Sequence, residues 1–408
     1  MQIAYDIVII GAGPAGLGFA ASMLDTNVNV LILERSDLED ISMPKVDGRE
    51  VALTHLSLKI LKKLGVWDLV DQTTVSPLRE AKVFDGDSPS LLNFKSDKAN
   101  IEALGYLVPN HKIRQALYNR VKDAKNITIQ TNTLADDVIQ LENSAQVVLV
   151  GGECIETKLV IAADSRFSSI RRKVGIPTLM KDFSKVMIIT KMMHEKSHEN
   201  IALECFDYGR TLALLPMIGD ASSVVLTVKT DESKKILEMN EAEFNEMITS
   251  SFKASLGEMT QSGERHSYPL VATHAQTFIA KRFALIGDAA VGMHPVTAHG
   301  YNLGLRGQDI LATLIKEALE HGQDVGSSSL LKLYEKKHIN LTRLMFFGTN
   351  GIVALFTNDA PVIKQVRKMV LKFAENFPPI KYLISNQLTE AKSNKFAPFE
   401  KILKKLPF

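Results

Sequence analysis

The chain has 408 residues, 45% hydrophobic and 23% charged, with a formal net charge of +2. That composition is ordinary for a globular chain, long enough for a large core and two lobes. It is too mildly charged for the clustered Lys and Arg of a nucleic-acid-binding face, so nucleic acid is excluded as a partner. Cys154 and Cys205 are the only cysteines; far apart and in no CxxC pattern, they indicate neither a disulfide framework nor a zinc site and suit a reducing, cytoplasmic compartment.

The opening stretch "AYDIVIIGAGPAGLGFAASML" lacks a basic leader and is broken by Asp6, four glycines and Pro14, so it reads as folded protein rather than a signal peptide. No run approaches the ~20 uninterrupted apolar residues of a spanning helix. Residues 6–10, "DIVII", form a β-branched run suited to an inner strand of a parallel sheet. Residues 14–24 read as a small-residue helix and 28–33, "VNVLIL", as a second inner strand ending in Glu34, which completes a βαβ unit. A helix over 54–64 is capped by Thr54 and stopped by Gly65. Another helix spans 113–124, followed by a strand, "NITIQ", and a hairpin over 145–164 whose second strand ends in Asp164.

From 183 to 278 the texture changes to alternating strands interrupted by one helix over 233–253, the pattern of an antiparallel sheet lobe. "RFALIGDAA" (282–290) returns to the buried-strand pattern, and the chain after 303 reads as helical to its end. The expected architecture is α/β: a Rossmann-like nucleotide-binding domain over 1–75, 100–180 and 279–335, an inserted antiparallel-sheet substrate domain over 76–99 and 181–278, and a C-terminal helical segment over 336–408. Residues 361–408 carry ten Lys and Arg against three Glu, with Val362, Ile363, Val366, Met369, Val370 and Phe373 at helical spacing. Two readings follow, a helix packed on its own protein with a solvated basic face, or a surface for an anionic membrane.

Gly11, Gly13 and Gly16 form G-x-G-x-x-G between a strand and a helix, the context in which the pattern carries weight. The first glycine permits a tight turn, the second lets a pyrophosphate approach the backbone, and the third lets helix and strand pack closely. Glu34, at the end of the second strand, is placed to accept both hydroxyls of an adenosine ribose. A dinucleotide site alone does not separate NAD from FAD. Two further acidic strand ends, "AADSRFSSIRR" and "ALIGDAA", favour the longer flavin nucleotide, with Asp288 accepting a ribityl hydroxyl.

These three motifs together resemble the fingerprints of the FAD-dependent aromatic hydroxylases, the single-component flavoprotein monooxygenases similar to p-hydroxybenzoate hydroxylase. Within that group, "GREVALTHLSLKILKKLGVWD" (48–68), "ALLPM" (213–217), "YPL" (268–270) and "HPVTAHGYNLGLRG" (294–307) most resemble the ubiquinone-biosynthesis hydroxylases, and in particular a demethoxyubiquinol-hydroxylase branch of relaxed positional selectivity. The sequence departs from the pattern at Ser165, where a glycine is usual, at Val291, where many relatives have His, and at Ala298-His299, which replaces Gly-Gln.

The resemblance implies FAD as cofactor, NAD(P)H as reductant and O2 as co-substrate, with hydroxyl transfer from a flavin C4a-hydroperoxide to the ring of a lipophilic polyprenylated phenol or quinol. It further implies a cofactor site made by Gly11, Gly13, Pro14, Ala15, Gly16, Glu34, Arg35, Arg49, Arg114, Asp164, Gly287, Asp288, Pro295, Gly300, Tyr301 and Asn302. Arg49 would lie near the pyrophosphate and flavin, Arg114 near the adenine half, and Asp164 near the pyrophosphate. Peripheral attachment to the inner face of the membrane, or to a ubiquinone-synthesis complex, belongs to the same expectation.

Two physical demands accompany that chemistry. Negative charge on reduced flavin calls for a helix N-terminus, which Gly300, Tyr301 and Asn302 supply, and water must be excluded, for which Pro295 and the strand around Leu214 and Leu215 are candidates. His294 is the first candidate for a base that deprotonates a phenol, with a structural, loop-bonding histidine as the alternative. His299 is a candidate for setting which ring carbon reacts. The two histidines lie five apart across Pro295, on neither a helical nor a strand face, which argues against a metal site. Alternative functions for the same fold are an FAD-dependent reductase of prenyl double bonds and a non-catalytic flavin-binding redox partner.

Overall fold

The computed structural model describes residues 5–85, 92–96, 101–207, 210–357 and 389–390. In chain order the elements are β1 (Tyr5–Ile10), α1 (Pro14–Ser22), β2 (Val30–Leu33), α2 (Leu38–Ser42), β3 (Glu50–Leu53), α3 (His55–Lys63), β4 (Ser76–Leu78), β5 (Glu80–Asp85), β6 (Leu92–Lys95), β7 (Gly105–Pro109), α4 (Asn110–Val121), β8 (Ile127–Gln130), β9 (Ala135–Gln140), β10 (Ala145–Leu149), β11 (Cys154–Ala162) and α5 (Ser169–Lys173). They continue with β12 (Thr178–His194), β13 (Ile201–Asp207), β14 (Arg210–Pro216), β15 (Ala221–Lys229), α6 (Thr230–Leu237), α7 (Glu241–Ser251), β16 (Met259–Gln261), β17 (His266–Ala275), β18 (Ile279–Ala280), β19 (Phe283–Leu285), β20 (Val291–Gly292), α8 (Gly300–Glu320) and α9 (Ser328–Thr357).

The first sheet has a parallel core in the order β8-β2-β1-β11-β19, with β18 and the β9–β10 pair joined antiparallel. Ile7, Val8 and Ile9 in β1 and Val30 and Ile32 in β2 are wholly buried, because helices cover both faces of a parallel sheet. α1 is buried from Gly16 to Ser22, and its small residues let α4 and α8 approach: a side chain at Gly18 would stand 3.8 Å from both Leu117 and Gln308. The motif turn, Asp164 and the Gly287 turn thus follow the carboxyl ends of three adjacent parallel strands, β1, β11 and β19, where open α/β sheets bind ligands.

The second sheet runs β20-β17-β12-β15-β14-β13-β5-β6, antiparallel except for the parallel β13–β5 pair. β12 is long enough to serve both ends of the β17 pairing because a bulge between Asp182 and Val186, with Ser184 at φ 51°, resets its register. One face packs on α6 and α7 through Ile188, Met192, Leu212, Leu214, Leu226 and Phe244. The other face, carrying Met187, Ile189, Val225 and Leu270, looks toward the first sheet. A small third sheet, β3-β7-β4, lies at their junction.

Several expectations are revised. The single helix over 233–253 is two, because Asn240 forms a capping box with Glu243 that starts α7 afresh. The helical run after 303 is interrupted at Gly322, whose φ of 64° ends α8. Leu214 points into the α6–α7 core and cannot wall the cleft; its neighbour Leu215 alternates to the other face. The apolar stripe from Val362 to Phe373 lies outside the described residues. α9 includes a stretch, Ser328–Phe356, long and apolar enough by length and composition to cross a membrane, although charges interrupt it. Tyr334, His338, Thr342 and Phe346 on that helix are buried, and the Tyr334 hydroxyl donates to the Leu285 carbonyl at 2.7 Å.

Candidate active site

The glycine turn is shaped by contacts that admit no side chain. Gly11 has φ 108°, and a Cβ there would fall 2.7 Å from the Ala163 carbonyl oxygen; at Gly16 it would fall 2.0 Å from that of Gly11. Gly13 differs, meeting only the Ala163 oxygen at 3.9 Å, so its open side is where another molecule can approach the backbone. Pro14 opens α1 at its first position, and the Gly13 cap makes no side-chain hydrogen bond to the helix. Glu34 is fixed beside the turn: one carboxylate oxygen accepts the Ala12 N–H at 2.7 Å and the other accepts the Ser36 N–H at 2.9 Å. Arg35 follows it at the strand end.

Motifs far apart in sequence meet here. Gly287 adopts φ 58°, and a Cβ on it would lie 2.6 Å from the Ala15 side chain, so the turn carrying Asp288 is pressed against α1. Asp288 pairs with Arg166 at 3.0 Å, and Arg166 also donates to the Val271 carbonyl. Arg171, almost wholly buried, donates to the carbonyls of Ala289 and Arg166 at 2.7 and 3.0 Å. It ties the Asp164 loop to the Asp288 turn. Asp164 is itself buried, which raises its carboxyl above the usual range against the pull of hydrogen bonds from Ser168 and the backbone. One of its oxygens has no hydrogen-bond partner among the described residues.

The loop before α8 closes the other end. His294 caps a short 3-10 turn, its Nδ1 accepting the Val296 N–H at 3.2 Å, while Phe183 meets the ring edge-on at 4.7 Å. Burial lowers its pKa to about 4. With Nδ1 engaged, the ring makes the loop-capping contact set beside the phenol-base role above. Pro295 is exposed at the start of that turn, Ala298 takes a left-handed conformation (φ 52°), and His299 is buried at the α8 N-cap. α8 has no side-chain cap, leaving the amides of its first turn, Gly300, Tyr301 and Asn302, for an anionic partner. The Asn302 side chain is committed to the protein: it donates to the carbonyls of Ala52 and Ala298, both at 2.8 Å, and accepts the Thr54 N–H at 3.1 Å.

Arg49 lies where the second sheet faces this loop, paired with Asp47 at 2.6 Å and set 5.4 Å over the Tyr268 ring, whose hydroxyl donates to the Asp47 carbonyl. Burial pulls the Asp47 carboxyl up, but the Arg49 charge and hydrogen bonds from Arg49 and Asn110 outweigh it and leave Asp47 below the usual range. Neighbouring Glu50 is raised to about 8, chiefly by burial and then by Asp47, with Lys191 opposing. Arg114 is farther off, donating to the Asp40 carbonyl at 3.3 Å. Reasoning from sequence missed Arg166, Arg171, Asp47, Glu50, Tyr268 and Glu204. Of these, Glu204 did leave a signal, an acid between Ala202 and Phe206 on one face of an otherwise apolar strand.

Three features fit a flavin nucleotide: the open flank of Gly13, the orphaned buried oxygen of Asp164, and the uncapped start of α8. A family model described as "FAD binding domain" matches residues 4–345. The chain belongs to this FAD-binding family. FAD is its cofactor, and the chain is an FAD-dependent monooxygenase. It is 45% identical over 393 residues to the ubiquinone hydroxylase UbiM of Neisseria meningitidis, covering 95% of this chain and 85% of that one. It is also 31% identical over 378 residues to the ubiquinone hydroxylase UbiL of Rhodospirillum rubrum, covering 93% and 88%. Among solved structures, p-nitrophenol 4-monooxygenase PnpA of Pseudomonas putida superposes with a TM-score of 0.76 at 17% identity, covering 95% of this chain and 98% of that one; at that identity the likeness speaks to the fold.

Proposed function

We propose that this FAD enzyme hydroxylates the aromatic ring of a polyprenylated phenol or quinol in ubiquinone biosynthesis, with NAD(P)H as reductant. The observation that carries the reading is the 45% identity, over nearly the whole chain, to a protein named for ubiquinone hydroxylation. The site's chemistry supports it, since no nucleophile–base array is needed where a cofactor performs the redox step.

FAD, when bound, would supply the redox chemistry of that step. The chain's residues bind, orient and shelter. Glu34 receives the adenosine ribose, with Arg35 and Arg114 toward the adenine half; Gly13, Pro14 and Ala15 admit the pyrophosphate beside Asp164; Gly287 and Asp288 face the ribityl chain. The first amides of α8 hold negative charge at the flavin edge, and Pro295 lies along the ring. Arg49, steadied by Asp47 and Tyr268, guards the sheet side. Met187, Ile189, Val225 and Leu270 make a dry wall there, which keeps the activated oxygen on the substrate. His299, beside this loop, influences which ring carbon is presented.

We further place the protein in the cytoplasm, at the inner face of the membrane or in a quinone-synthesis assembly, because a polyprenylated substrate resides in lipid. The domain division at residues 75–76, 99–100, 180–181, 278–279 and 335–336 remains part of this proposal. A strain deleted for the gene tests the reading: a stalled prenylated ring lacking one hydroxyl should accumulate. Normal ubiquinone with no stalled ring precursor would refute it.

A further inference from the structure

The cleft-facing side of the second sheet can be followed strand by strand. Glu204 on β13 stands opposite Ala213 on β14, Ala213 opposite Val225 on β15, Val225 opposite Ile189 on β12, and Ile189 opposite His266 on β17. At the far end the row meets the Arg49 segment, since a side chain at Gly48 would touch His266 and Ile189. With strands ~4.8 Å apart, Glu204 and Ile189 are separated by about 14 Å of surface made only by Ala213 and Val225. On its other flank Glu204 is paired with Val83 of β5. Two residues along the strand, Phe206 packs against Phe356 of α9, ring centroids 4.2 Å apart and tilted, in a cluster that includes Val296 of the Pro295 loop.

Glu204 is therefore an acid in a largely apolar trough whose walls are the sheet, the end of α9 and the Pro295 loop, with Thr211, Thr227 and Ser223 in the flanking rows of the same face. It lies deep in the lobe, yet part of it stays accessible. Among the described residues it has no hydrogen bond and no ion pair. A buried carboxyl without a partner is unfavourable in an apolar medium and uncommon in native proteins. Burial alone raises its pKa to about 8, which keeps it largely neutral at physiological pH.

We propose that Glu204 receives the ring hydroxyl of the substrate by a hydrogen bond, and so selects oxygenated rings and sets how the ring lies in the trough. The proposal rests on the ring-hydroxylation reading above and adds to it a named residue and a substrate feature. Ala213 and Val225 provide the flat apolar bed for the ring, and the carboxyl anchors its polar edge. A site built to bond a hydroxyl discriminates strongly against an analogue that lacks it, because the buried acid is then left unpaired.

The FAD-loaded enzyme is titrated anaerobically with 2-geranylphenol and with geranylbenzene, binding being read from the perturbation of the flavin absorbance. The wild type is expected to bind the phenol at least about tenfold more tightly. Glu204→Leu should bring the two ligands to within about threefold, mainly by weakening the phenol, while geranylbenzene binding stays as in the wild type. Glu204→Gln, nearly isosteric and still able to hydrogen-bond, should restore part of the preference, and it carries the test alone if the Leu variant fails to take up FAD. Wild-type preference retained in Glu204→Leu, or undiminished in Glu204→Gln, would overturn the proposal. A wild-type flavin that responds to neither ligand would overturn the substrate reading itself, and the role of Glu204 with it.

Discussion

In the parallel-sheet lobe every acid of the motif set but one is held by the protein. Glu34 has both oxygens taken by backbone amides and Asp288 is paired with Arg166; only Asp164 keeps an unpartnered oxygen. Across the cleft the arrangement is reversed: Glu204 stands in an apolar row with no hydrogen bond or ion pair among the described residues. A lobe that binds the same cofactor in every cycle can be built rigid beforehand. A face that receives a changing ligand keeps its polar groups uncommitted until that ligand arrives.

The largest expected effects break the rigid side. Gly16→Val would drive a side chain into the Gly11 carbonyl, 2.0 Å from the Cβ position, and should yield protein without bound flavin, measured by the absorbance ratio of purified samples. Asn302→Ala removes three hydrogen bonds, one buried and two part-buried, and orphans the Thr54 amide. A loss of about 2–3 kcal/mol in urea unfolding is expected. Glu34→Gln leaves the turn in place but removes the charge that accepts ribose hydroxyls, so FAD affinity should fall about tenfold in titrations of apoprotein.

The smallest effect sharpens the contrast through pH. Burial holds His274 and His294 at about 4 in the folded chain against 6.5 ordinarily. The unfolded chain then binds more protons between those values, so their contribution to stability is present above about 6.5 and is lost as pH falls toward 4. Glu204, raised to about 8 from 4.5, works the other way: its contribution is present at low pH and is lost as pH rises from 4.5 through 8. Urea midpoints of His294→Gln should therefore fall less than those of the wild type between pH 7 and 4.5. Those of Glu204→Gln should fall less between pH 5 and 8.

The same contrast explains what was legible in the sequence. Gly11, Gly16, Glu34 and Asp288 sit in local patterns whose backbone geometry the residue types dictate, so the βαβ start, the acidic strand ends and the α8 terminus could be read directly. Arg171 and Arg166 act through carbonyls and an acid more than a hundred residues away, and no local spacing announces them. Glu204 left only a break in an apolar alternation, whose meaning depends on which strand lies beside it. Leu214 was misplaced for a related reason: alternation tells which residues share a face, but only α6 and α7 decide which face is the core. His294 was legible as a base or as a loop-bonding histidine, while its burial and its bond to the Val296 N–H depend on tertiary packing.

The most direct test of the account is a single turnover series with FAD-loaded enzyme, NADPH and a short-chain demethoxyubiquinol under 18O2, read by mass spectrometry. The account predicts one 18O atom in a new ring hydroxyl. NADPH consumption that yields only hydrogen peroxide, or a product gaining hydrogen without oxygen, would contradict it.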